Sequence, residues 1–112
     1  MRDDRARLLD IAEAIEKIER YSNIDKDRFT RDELIQTWMV YHLQVIGEAA
    51  NEISAELRAR HPGIPWRAMA AMRHALVHAY FRVDLDEVWS AVRDDLPGLK
   101  TRILELLRSL AE

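Results

Sequence analysis

Arg73, His74, His78 and Tyr80 fall within the nine residues MRHALVHAY, a stretch that otherwise reads as apolar helix. Imidazole titrates near neutrality and serves as acid or base, while guanidinium grips phosphate bidentately and keeps its charge. Cleaving an RNA phosphodiester without a metal calls for those properties. A base takes the ribose 2′-hydroxyl proton, an acid protonates the leaving 5′-oxygen, and a fixed cation steadies the charge of the transition state. One Arg–His pair is half of such a site. Two pairs facing each other across a dimer two-fold would supply both proton-transfer groups.

Arg73 and His78 do not share one helical stripe: five steps of about 100° set them about 140° apart on an ideal helix. The pair converges if the helix frays near His78 and the long arginine reaches over. His74, four residues before His78, lies one turn away on the same side. The charge pattern around them is uneven. From Leu57 to Val83 there is no Asp or Glu, and the window holds Arg58, Arg60, Arg67, Arg73 and Arg82 with three of the four histidines. The remaining 12 Lys and Arg share the rest of the chain with all 20 acids. A net charge of −3 therefore leaves room for a basic footprint facing phosphate, although a solvated helix face would look alike.

Five amphipathic segments must position these groups. Leu8, Ile11, Ala12, Ile15 and Ile18 make the stripe of a helix over about residues 4–21. Thr30 and Glu33 form a capping box for a long second helix, with Leu34, Ile35, Trp38, Tyr41, Val45, Ile46, Ala49 and Ile53 inward, ending near RHPGIP. Pro65 suits the first turn of a third helix over about 65–79, with Trp66, Met69, Ala70, Leu76 and Val77 as its apolar members. Asp84 and Glu87 cap a fourth, carrying Val88, Trp89, Val92 and Leu96; LPG interrupts, and LKTRILELLRSL makes a fifth. Short connections between such helices predict one all-α domain over 1–112, an up-and-down bundle of four to five helices. The third and last helices are apolar on more than one side, which predicts a two-fold homodimer.

With no cysteine, a disulfide framework and a thiolate metal site are excluded. No His, Asp and Glu group has metal-ligand spacing, so neither metal nor cofactor is expected. The charged start MRDDRARLLD lacks a signal-peptide core and no apolar run is of membrane-spanning length. A cytoplasmic location away from membranes is expected.

The ordered set of Trp66, then MRHALVHAYFRVD, then VW and LP, resembles the HepT-like HEPN-domain ribonuclease toxins. IGEAANEIS, Ile46 to Ser54, resembles that family's second helix. The likeness covers almost the whole chain. It implies a homodimeric all-α endoribonuclease toxin whose motif residues from both protomers line one cleft, with Arg73 and His78 as the catalytic pair. It further implies a nucleotidyltransferase antitoxin that silences the toxin by AMPylating Tyr80, which adds bulk and negative charge beside the RNA-binding arginines. One departure stands out: His74 occupies a position where the family usually carries Asn or another small polar group, so His74 is a candidate auxiliary to His78.

Arg67 and Arg82 are candidate RNA contacts, with tRNA or mRNA as substrate. Each residue also has a plainer role open to it. Arg73 could pair with Glu48 or Glu52, His78 could meet helix-end carbonyls, and Tyr80 could pack a turn. Trp38, Trp66 and Trp89 suit the core, and Trp66 is near enough to the basic window to stack a base. Glu48 and Asn51 could line the cleft, and His42 and His61 read as bystanders. The alternative function is a non-catalytic nucleotide- or substrate-binding partner subunit of a nucleotidyltransferase; an inert helical dimer is the third.

Overall fold

The structure, a computed structural model, describes residues 3–75, 77–78 and 82–111, and of 74, 75, 77, 78, 82 and 83 the backbone alone. Helix α1 (Asp4–Glu19) starts where the Asp3 carboxylate accepts from the Ala6 amide at 2.8 Å, and it buries the predicted stripe of Leu8, Ile11, Ile15 and Ile18. The stretch SNIDKDRF, which breaks the apolar period, carries the start of a short helix α2 (Lys26–Arg31). Asp25 caps it and Phe29 is fully buried beneath it.

The capping box expected at Thr30 and Glu33 does not form. Thr30 lies inside α2, where its hydroxyl donates to the Lys26 carbonyl, and Asp32 caps α3 (Glu33–Asn51) by accepting from the Ile35 amide at 3.1 Å. A carboxylate two residues later wins because α2 has already taken up Thr30. Of the face expected for this helix, Ile35, Ile46, Ala49 and Ile53 are buried and Trp38 and Val45 half-buried, but two members turn outward. Ile35, Met39, Leu43, Ile46 and Ala50 are inward, whereas Leu34 is 85% and Tyr41 61% exposed. Trp38, half-buried, donates its indole N–H to the Lys17 carbonyl at 2.8 Å.

The long second helix is two helices. α3 stops at Asn51 and Ser54 caps α4 (Ala55–Arg60), its hydroxyl accepting from the Leu57 amide. Asp4 accepts from both the amide and the hydroxyl of Ser54, at 2.9 and 2.6 Å, which ties the break to the start of α1. The apolar period ran straight through this corner because Ala49, Ile53 and Leu57 are buried on both sides of it.

Helix α5 (Trp66–Ala75) packs along α3, and α3 lies between α1 and α5. The expected helix over 65–79 ends at Ala75; Val77–His78 (β1) pairs antiparallel with Arg82–Val83 (β2). Asp84 caps α6 (Leu85–Ser90) as expected, accepting from the Glu87 amide. No break occurs at LPG. A π-helical turn, Ala91–Asp95, joins α6 to α7 (Leu96–Ala111). In a regular helix the Pro97 ring would meet the Arg93 carbonyl, four residues back, and Arg93 lies inside the widened turn. The class is the expected helical bundle, with α7 packed on α1 and the two-residue ladder as its one sheet among the described residues.

Candidate nuclease site at the end of helix α5

Trp66 opens α5 and belongs to the core. It is 7% exposed and its indole N–H donates to the His61 carbonyl at 2.9 Å, so the base-stacking option for this residue falls away. Met69 is buried one turn on, Arg67 is exposed, and Arg73 is half-buried in the last turn of the helix. His74 follows Arg73 within α5. The helix then ends at Ala75, and His78 stands in β1, opposite Arg82 of β2. Arg73 and His78 therefore do not occupy one helix. The 140° separation that a continuous helix would impose is replaced by a change from helical to extended backbone between them. Tyr80, like Leu76, Ala79 and Phe81, lies outside the described residues.

Gly47 of α3 sets how closely α5 approaches. A Cβ placed on it would lie 2.4 Å from the Arg73 amide nitrogen, 2.9 Å from its Cβ and 3.0 Å from its Cα. Sequence reasoning passed over Gly47, although a glycine inside a strongly periodic helix signals a close neighbour. Glu48, the next residue, and Asn51, one turn further on, are exposed. Among the described residues, no hydrogen bond or ion pair joins Arg73 to Glu48 or Glu52, the structural partners considered for it.

Further along the outer face of α3, an open groove of about 540 Å³ runs between Glu33, Gln36, Thr37, Val40, Tyr41, Gln44 and Leu85 at the start of α6. A second, more apolar hollow of about 690 Å³ is bounded by Lys17, Leu34, Trp38, Tyr41 and His42. His42, read as a bystander, is 5% exposed, with ring centroids 4.5 Å from Trp38 and 4.9 Å from Tyr41. Burial pushes its pKa below the ordinary value, with Lys17 and Arg20 adding to the effect and Glu13 opposing it. Among the described residues no cluster of three His, Asp or Glu side chains forms that could hold a metal ion, and no helix is long and apolar enough to cross a membrane.

Residues 11–106 match the family described as Ribonuclease HepT-like. The chain belongs to the HepT-like ribonuclease family. Its relatives include a protein of Thermococcus cleftensis named "Probable ribonuclease HepT", 44% identical over 100 residues that cover 88% of this chain and 91% of the relative. A protein of Methanocaldococcus jannaschii named "Putative RNase MJ1380" is 35% identical over 103 residues, covering 91% and 94%. No solved structure matches the chain. The enzyme class expected from the sequence, endoribonuclease, is that of this family, and R-x4-H falls inside the matched HepT-like region.

Proposed function

We propose that this HepT-like ribonuclease is the toxin of a toxin–antitoxin pair and cleaves RNA by metal-independent transesterification. His78 takes the proton of a ribose 2′-hydroxyl, and the 2′-oxygen attacks the adjacent phosphorus. The bond to the 5′-oxygen breaks as the histidine of a second copy protonates it, leaving a 2′,3′-cyclic phosphate and a 5′-hydroxyl. Arg73 holds the phosphate oxygens and stabilises the charge that develops on them. His74 assists, and Arg67 and Arg82 contact the RNA backbone. The enzyme works in the cytoplasm as a homodimer with both motifs in one cleft. A nucleotidyltransferase antitoxin silences it by AMPylation of Tyr80.

One observation carries this reading. R-x4-H spans the point where α5 gives way to β1, in the acid-free part of the chain, within the region matching the HepT-like family. Two half-sites related by a two-fold supply the acid and base that a single Arg–His pair lacks. The exposed apolar side chains of α3, Leu34 and Tyr41, support a second copy as their cover.

The test is cleavage of single-stranded RNA in EDTA, with the new 3′ ends analysed for cyclic phosphate. Arg73→Ala and His78→Ala should each lower the rate by at least about 100-fold while leaving the helical circular dichroism intact. Cleavage by either variant at the wild-type rate would overturn the assignment. Tight ATP binding without RNA cleavage would instead favour the non-catalytic partner subunit.

A further inference from the structure

We infer that Gly47 is a positioning residue for the Arg73 guanidinium, an inference that rests on the nuclease reading above. Glycine in the interior of the 19-residue helix α3 works against helix formation, so its place there calls for a steric reason. Of the three glycines, Gly63 and Gly98 have open space where a Cβ would go, whereas at Gly47 that position falls on the Arg73 backbone.

Arg73 gains nothing from side-chain anchors: among the described residues no hydrogen bond or ion pair holds its guanidinium. Its position follows from its backbone, and its backbone is seated against Gly47. Two residues later the helix ends at Ala75, and His78 follows in β1. A methyl at position 47 would have to move from 2.4 Å to at least the 3.4 Å of ordinary contact with the Arg73 nitrogen, a displacement of 3.4 − 2.4 = 1.0 Å. A misplacement of roughly 1 Å is enough to cost a reaction about 100-fold in rate.

The test uses the full chain carrying Gly47→Ala, Arg73→Ala, or both, assayed on single-stranded RNA at about 15 °C with trimethylamine oxide, which strengthens burial. Gly47→Ala is expected to lower kcat by about 100-fold and change KM by less than about threefold, and to bind 2′-O-methyl RNA, which lacks the nucleophile, as wild type does. In the Arg73→Ala background the same change is expected to cost less than about twofold more, because the group it displaces is gone. An equal loss with and without Arg73, wild-type kcat, or a chain left unfolded under these conditions would each overturn the inference in favour of general packing.

A second readout does not depend on activity. The 15N–1H amide signals of residues 72–75 should move in Gly47→Ala while those of α7 stay in place, and unmoved α5 signals would overturn the positioning role. If Arg73→Ala cleaves RNA as fast as wild type, the nuclease reading fails, and the amide shifts still decide whether Gly47 sets the backbone of Arg73.

Discussion

Gly47 of α3 faces the backbone of Arg73 so closely that a β-carbon there would come within 2.4 Å of the Arg73 amide nitrogen. Two helices with ordinary side chains at the crossing could not approach this far. The approach brings the last turn of α5, and the end of the helix beyond it, down onto the central helix of the bundle.

One substitution should therefore act with opposite sign in two helices. Gly98 lies in α7 with nothing within 4 Å of its missing Cβ. Gly98→Ala should stabilise the fold by about 0.5–1 kcal/mol through helix propensity. Gly47→Ala should destabilise it by about 1–3 kcal/mol through overpacking. Urea denaturation of the two variants checks the pair, and equal signs would contradict the crossing geometry.

Asp4 and Ser54 hold the corner between α3 and α4. Ser54→Ala removes the cap on α4 and the hydroxyl donor to Asp4, while Asp4→Ala leaves the cap but frees the Ser54 amide. Each should cost about 1 kcal/mol. The double variant should cost less than the sum, because the two residues share a hydrogen bond.

His42 should make stability sensitive to acid. Its folded-state pKa lies below the ordinary 6.5, chiefly because of burial. Between the folded and unfolded values the unfolded chain binds more protons, so unfolding free energy rises with pH in that window. Stability is full above pH 6.5 and is lost as pH falls through 6.5 towards the folded value. Urea midpoints measured between about pH 8 and about pH 5 should show this loss. His42→Gln should flatten the part of the slope that His42 contributes.

Leu34 and Tyr41 leave an apolar stripe open on α3. Sedimentation should show a species of twice the 13.1 kDa chain mass, and Leu34→Asp with Tyr41→Asp should return it to a single chain. If each cleft draws on both copies, as proposed, nuclease activity should be lost together with the dimer.

If Tyr80 is the AMP acceptor proposed above, Tyr80→Phe should abolish transfer of AMP from ATP to this chain by the proposed nucleotidyltransferase partner, with pyrophosphate release lost in parallel. RNA cleavage should persist in that variant and should no longer be silenced by the proposed partner. Mass spectrometry of the intact chain reads the added adenylate directly.

The residues alone determined the helical class, the stripe of α1, the Asp84 cap and the family, since each depends on local spacing or on an ordered motif. They also put forward Arg73 and His78 as candidates for the site, because an arginine and two histidines in an apolar helical stretch are poor core material. Tertiary packing decided the rest. The long second helix breaks at Ser54 because Asp4, fifty residues away, takes its amide and hydroxyl. LPG stays helical because a π turn makes room for the Pro97 ring. α3 turns Leu34 and Tyr41 outward because α1 and α5 already cover the face that carries Met39, Leu43 and Ile46. Periodicity counts residues along one helix and cannot say which of two apolar faces will find a neighbour. For the same reason the meeting of Gly47 with Arg73 was invisible until α3 and α5 were packed together.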